Sequence, residues 1–312
     1  MYETFYHTLY RIRRVEEEIA RLYPTDKIKS PVHLAIGQEA ISVGVCAALA
    51  PTDIVFGTYR SHALYLAKGG DLKQMLAEMY GKATGSAKGK GGSMHLIDRP
   101  RGVMGASAVV ATTIPNAVGY AYALKLQKKQ EIVVSFFGDG AVDEGVFHES
   151  MNFAALKALA IIFICENNFY AIHTHQQLRQ KNPDIAGRAQ SYGMPAQCIK
   201  SNNAIEIYEK VHQAVQALRC GEPGPYFFEC WTYRWKEHVG PGEDYQMGYR
   251  TQAEAAPWRE NDEVKRLGAL VAPAQRAQIE AAVEAEIAEA IAFAEASPFP
   301  GAEELYTDLF KD

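Results

Sequence analysis

An α/β fold, with a doubly wound, mostly parallel sheet and helices on both faces, is predicted by the middle third of this 312-residue sequence. Two runs, 131–137 (EIVVSFF) and 160–166 (AIIFICE), are almost wholly apolar and rich in β-branched residues. That is the pattern of strands buried on both faces. Between them, 144–159 brings Phe147, Met151, Ala154 and Leu156 onto one helical face. Strand, helix and strand in about thirty-five residues make a βαβ crossover, which obliges the two strands to run parallel.

The remaining elements follow from the N-terminus. Phe5, Leu9, Ile12, Val15, Ile19 and Leu22 fall at steps of three and four, one apolar stripe on a helix over 1–23. Arg13, Arg14 and Glu16 to Glu18 lie off that stripe and read as a solvated face. Residues 38–49 form a second helix stopped by Pro51, and 71–80 a third, with Asp71 as N-cap and Gly81 beyond its end. The glycine-rich segment 81–93 (GKATGSAKGKGGS) carries three lysines and suits neither helix nor strand, so it is a loop with few apolar side chains to order it. Residues 226–235 (YFFECWTYRW) make a further strand. Ile279, Val283, Ile287 and Ile291 mark a long helix over 274–296, within a helical region 258–312. No repeat or low-complexity linker divides the chain, so 1–312 is expected to be one domain with helical additions at both ends.

Composition excludes several classes. Lys plus Arg number 32 against 37 Asp plus Glu, a formal net charge of −5, which disfavours a nucleic-acid partner. No apolar run reaches the roughly 18 residues that a membrane span needs. The opening MYETFYHTLYRIRRVEEE mixes acids with bases and lacks the apolar centre of a secretion signal. Five widely spaced cysteines without a C-x-x-C pair suggest reduced thiols in a cytoplasmic chain rather than disulfides or zinc. The stretch 81–92 lacks Walker A spacing, and 138–140 does not extend into a dinucleotide fingerprint, because position 143 is Asp.

The chemistry gathers at two strand ends. Gly138-Asp139-Gly140 closes the first buried strand and Asn167-Asn168 the second. Asp139 and Asn168 are 29 residues apart, yet parallel strands deliver both to the carboxyl edge of the sheet, where α/β folds bind ligands. One carboxylate, one amide oxygen and a nearby backbone carbonyl form a hard-oxygen set suited to Mg²⁺, which completes its shell with phosphate oxygens and water. The flanking glycines let a diphosphate approach backbone N–H groups at the start of the following helix. Either motif alone is an ordinary turn after a strand; the two together across one helix are far more specific.

In its surroundings this pair resembles the thiamine diphosphate motif. GDGAVDEG, ESMNFAAL and IFICENNFYAI, with HLAIGQEA near residue 33, PTDIVFGTYRSH, GKGGSMH and TYRWKEH near residue 238, resemble the alpha subunit of the first component of 2-oxo acid dehydrogenase complexes. That group includes pyruvate, branched-chain and acetoin dehydrogenases, and the resemblance covers most of the chain. It implies a thiamine diphosphate-binding fold, with Asp139, the Asn168 side chain and the Tyr170 main-chain carbonyl as Mg²⁺ ligands. It places Gly140 and Ala141 against the diphosphate, Tyr59 and Arg60 on its phosphates, and Arg234 as a further cationic contact. Residues 105–115 (GASAVVATTIP) match the segment that cradles the aminopyrimidine, through the backbone of Ala108 and Val110. His33 and His238 match positions lining the channel above the thiazolium ring, where imidazoles bind a substrate carboxylate or manage protons. His238 counts as a cofactor contact as well, and His62 is a third catalytic candidate.

Departures concern the substrate rather than the cofactor. Ala108-Val109-Val110 stands where Gly-Ile-Val is frequent, Thr113 where Gln is frequent, and Lys236-Glu237 where His-Gly is frequent. Val239 occupies the place of a regulatory serine in some mitochondrial members.

In the family, the glutamate that activates the cofactor's pyrimidine ring lies on a separate domain. One diphosphate-binding domain fills these 312 residues, so the resemblance implies half an active site, completed by a beta subunit in an α2β2 assembly. Two activities fit. One decarboxylates a 2-oxo acid or cleaves acetoin and passes the acyl group to lipoamide on a lipoyl acyltransferase. The other is a thiamine-dependent lyase or transferase of a biosynthetic route that never meets lipoamide.

Overall fold

Side chains along a strand alternate between its two faces, so a strand that is apolar throughout needs cover on both. The computed structural model, which describes residues 1–308 and 310, supplies it. Strands are numbered along the chain as β1 (Ile54–Phe56), β2 (Val103–Gly105), β3 (Val133–Gly138), β4 (Ile161–Asn167), β5 (Tyr170–Ala171), β6 (Thr174–His175), β7 (Ala196–Ile199) and β8 (Tyr226–Trp231). Six of them form one sheet in the order β2-β1-β3-β4-β8-β7, with every neighbouring pair parallel. β5 and β6 form a separate antiparallel hairpin.

Val134, Phe136, Ile162, Ile164 and Phe228 point to one core. It is closed by α1 (Tyr2–Leu22), α2 (Glu39–Ala47), α3 (His62–Ala67), α4 (Leu72–Met79), α9 (Ala204–Arg219), α11 (Glu263–Gly268) and α12 (Pro273–Ala296). Val133, Phe137, Ile161, Phe163 and Phe227 point to the other, under α5 (Thr113–Leu126), α6 (Gly145–Leu156) and α8 (Ile185–Gln190). Each of these buried side chains contributes about 1.5–3 kcal/mol relative to exposure. Two more helices, α7 (Gln176–Arg179) and α10 (Gln252–Glu260), follow the hairpin and the last strand.

The expected segments appear with shifted ends. The Asp71 carboxylate caps α4 by accepting from the backbone N–H groups of Lys73 at 2.8 Å and Gln74 at 3.1 Å. The strand read over 226–235 stops at Trp231; the Thr232 amide still donates to the Asn167 carbonyl of β4 at 2.9 Å, and its hydroxyl donates to the Gly37 carbonyl at 3.2 Å. Between β3 and α6 lies a 3₁₀ turn, Asp139–Asp143, and the helix then starts at Gly145, one residue beyond the expected 144.

Two expectations are corrected. Leu156, read on the apolar face of α6, is 74% exposed: the buried apolar set of that helix is Phe147, Met151 and Ala154, and Leu156 lies more than half a turn beyond Ala154. The apolar stripe of α1 is buried throughout, but the polar side chains beside it are not all solvated: Arg13 is 7% exposed and Glu16 0%. Arg13 donates to Glu39 at 2.5 Å and to both carboxylate oxygens of Asp262. Glu16 accepts from the Ala35 amide at 3.1 Å. The physical reason is that α2, the 32–39 segment and α11 cover a second face of the helix, and buried charges then require partners. Among the described residues no helix is long and apolar enough to cross a membrane, and all five cysteines are free.

Candidate active site

Parallel register carries strand-ending residues to one edge. Gly138 pairs with Glu166, and Asn167 with Trp231. The segments after β1, β2, β3 and β4 therefore meet around one cavity of about 310 Å³. Its wall takes Thr58, Tyr59 and Arg60 from the first, Ser107 and Val109 to Ala111 from the second, Gly138 to Ala141 from the third, and Asn168 and Tyr170 to Ile172 from the fourth. Ala111 and Ile172 hold positive φ angles of 65° and 54°. A β-branched residue in that region is strained, and such strain is tolerated where the surroundings over-determine it.

Asp139 is 1% exposed, and burial pushes its carboxyl up to about 6 even with the Arg179 guanidinium beside it. The Asn168 side chain is fixed at both ends: Oδ1 accepts from the Tyr170 amide at 3.1 Å, and Nδ2 donates to Gln38 Oε1 at 3.1 Å. That orientation follows from an Asx-type turn closing on the residue two positions later. At Gly140 an added Cβ would lie 2.9 Å from the Ala171 Cβ, so the backbone passes here closer than a side chain permits. A carboxylate, an amide oxygen and bare backbone thus share one wall, a donor set that fits a hard divalent cation carrying a phosphate.

Arg60 lines the same cavity and is otherwise buried, donating to the Leu34 carbonyl at 2.7 Å and the His238 carbonyl at 3.1 Å. Burial pushes its guanidinium down to about 10, so it remains a cation at neutral pH. Tyr59, His33 and His238 form an aromatic cluster beside it. The His33 ring centre lies 4.5 Å from that of Tyr59 and 5.1 Å from that of His238. Burial, then the Arg60 charge, pushes both histidines down to about 3. Both are therefore neutral imidazoles, and His33 Nδ1 is buried without a hydrogen-bond partner.

His33 and His238 stand beside Tyr59 and Arg60 without lining the cavity themselves, and the other candidates are placed differently. His62 is fully buried, bonded through Nε2 to Ser93 Oγ at 2.7 Å and through Nδ1 to Glu16 at 3.2 Å, and it does not line the cavity. Arg234 is also turned away from the cavity. Its donors go to the carbonyls of Lys236 and Ile172, to Asp244 and to the Tyr249 hydroxyl. Ala108 lies between lining residues without reaching the cavity itself, whereas Val110 and Ala141 line it.

Sequence reasoning missed four groups. Gln38 and Glu166 line the cavity, each inside a word quoted for the resemblance, yet neither was assigned a role. Burial pushes the Glu166 carboxyl up to about 7, with Arg60 opposing the shift. Arg179 pairs with both Asp139 and Asp143, and Gln180 donates to the Asp139 carbonyl at 3.1 Å and to Asp143 at 2.8 Å. No pattern in the sequence marked those two residues.

The family model described as Dehydrogenase E1 component matches residues 7–303. The alpha subunit of acetoin:2,6-dichlorophenolindophenol oxidoreductase from Bacillus subtilis (strain 168) is 36% identical over 310 residues, covering 98% of this chain and 92% of that protein. The pyruvate dehydrogenase E1 component subunit alpha of Zymomonas mobilis is 35% identical, covering 98% and 87%. A transketolase structure from Campylobacter jejuni superposes with a TM-score of 0.61 at 19% identity, covering 97% of this chain. This chain spans 49% of that transketolase, and the likeness is one of fold. By the extent of the model match and the identity to relatives of similar length, the chain belongs to the dehydrogenase E1 component family.

Proposed function

We propose that this chain is the cofactor-binding alpha subunit of a thiamine diphosphate- and Mg²⁺-dependent 2-oxo acid or acetoin dehydrogenase, active with a beta subunit in an α2β2 assembly. The observation that carries the reading is the convergence of Asp139, Asn168, Tyr170 and the Gly140 backbone on one cavity that the largely buried Arg60 also lines. In this reading Asp139, Asn168 Oδ1 and the Tyr170 carbonyl hold the metal. Gly140 and Ala141 present backbone to the diphosphate, Tyr59 and Arg60 bind its oxygens, and Ala108 and Val110 meet the pyrimidine through their backbone. Thiamine diphosphate, when bound, supplies the carbon nucleophile and electron sink for cleavage next to a carbonyl.

The chain's own residues position and polarise. Arg60 contributes a permanent cation in a desolvated wall, where its field is strongest. His33 and His238, held neutral, present N–H groups to a substrate carboxylate or carbonyl oxygen and accept a proton only when one is generated beside them. Val109 and Val110, 63% and 45% exposed at the cavity mouth, offer apolar surface for the beta subunit to cover. The acyl group then passes to lipoamide on a lipoyl acyltransferase, in a cytoplasmic setting that suits five free cysteines.

The test pairs binding with turnover. The chain co-expressed with a beta-type partner is assayed against 2-oxo acids and acetoin, with a lipoyl domain and a dye as alternative acceptors. Asp139→Ala is expected to abolish thiamine diphosphate and Mg²⁺ retention by calorimetry while leaving the fold intact, since it removes the only charged metal ligand. Unchanged affinity in that variant would falsify the assignment.

A further inference from the structure

Arg179 stands where neither the motif nor the proposed reaction needs it. It lies at the end of the four-residue helix α7, on the segment that begins with Tyr170 and runs through the β5–β6 hairpin. Its two terminal nitrogens divide between carboxylates, Nη2 on Asp139 Oδ2 and Nη1 on Asp143 Oδ2. Its Nε donates to the Thr174 carbonyl at 3.3 Å. The side chain is 12% exposed, that of Asp139 1%, and that of Asp143 34%.

We infer that Arg179 is a resident cation in the metal seat, holding the Asp139 carboxylate until a divalent metal takes it and then retreating to Asp143 alone. The inference rests on the reading of Asp139 as a metal ligand. A carboxylate so deeply buried requires a positive partner, and the guanidinium supplies one from within the chain. A divalent ion bound to this carboxylate would lie within a few ångströms of the guanidinium, where the two positive charges repel and compete for the same negative partner. Asp143 makes the exchange inexpensive. It is one-third exposed, already paired with the other nitrogen, and anchored by Gln180 at 2.8 Å, so one of two ion pairs survives the move. Because Arg179 and Tyr170 belong to the same short segment, metal entry and the setting of the 170–180 segment are one event.

The experiment titrates the assembled α/β complex, freed of metal, with Mn²⁺ in the presence of thiamine diphosphate, and compares wild type with R179Q, R179K and D139A. Thermal unfolding of each protein is recorded metal-free and loaded. R179Q is expected to bind Mn²⁺ more tightly by on the order of tenfold, having lost its internal competitor. R179K, with one smaller charge and no fork, is expected to fall between R179Q and wild type. The melting temperature of R179Q drops in the metal-free complex and stays near wild type in the loaded one. Wild-type or weaker Mn²⁺ affinity in both Arg179 variants, or an equal loss of melting temperature in both states, overturns the inference and leaves a permanent structural pair. Unchanged Mn²⁺ affinity in D139A defeats the metal-seat reading itself, and the inference with it.

Discussion

Replacing Glu78 with Gln exchanges one oxygen for an NH₂ group at the centre of the glycine-rich loop. Glu78 lies near the end of α4, is 0% exposed, and accepts four backbone hydrogen bonds from the loop that follows. Oε1 takes the amides of Gly91 at 2.7 Å and Gly92 at 3.0 Å; Oε2 takes those of Ala87 at 2.7 Å and Gly89 at 2.9 Å. Whichever oxygen becomes nitrogen, two N–H donors then face a donor. Bonds to a charged group are worth about 1.5–3 kcal/mol each, so losing two costs about 3–6 kcal/mol. The loop amides are only part-buried and water re-satisfies some of them, which points to the lower end, about 3 kcal/mol. Urea unfolding measures the loss, and limited proteolysis locates it within 81–93. An unchanged urea midpoint together with an unchanged cleavage pattern would show that the carboxylate does not order the loop.

Three other outcomes are expected. His33→Ala and His238→Ala should each lower turnover by roughly 10²–10⁴-fold, far more than they lower cofactor affinity, and near-wild-type turnover in both returns these residues to a structural role. Both histidines sit at about 3 in the folded chain against an ordinary 6.5, so below pH 6.5 the unfolded chain takes up protons that the folded chain refuses. Stability should fall as pH drops from about 6.5 towards 3, and His238→Gln should flatten that slope in urea midpoints read against pH; a slope identical to wild type contradicts the burial argument. The purified chain alone should not turn over substrate, and adding the beta subunit should restore activity and tighten cofactor binding together. Full activity from the isolated chain defeats the half-site reading.

The sequence by itself determined β3 and β4, their parallel direction, and the arrival of Asp139 and Asn168 at one edge. Those features depend on contiguous apolar runs and on turns that close within a few residues, which are local properties of the chain. The Asp71 cap belongs with them, since its acceptors are two and three residues away. β1 and β2, three residues each, are too short to carry a period, and only pairing with β3 and with one another makes them strands. Tertiary structure decided which charged groups are buried and what they meet. Glu16 and Arg13 became interior because α11 and the 32–39 segment close over them, and His62 was drawn away from the cavity by Glu16 and Ser93. Arg234 is spent on Asp244 and two carbonyls, while Arg179 reaches Asp139 from 40 residues away. A charge near a motif has no role until its burial is known, because desolvation makes a partner obligatory, and only the assembled chain determines which partners lie within reach.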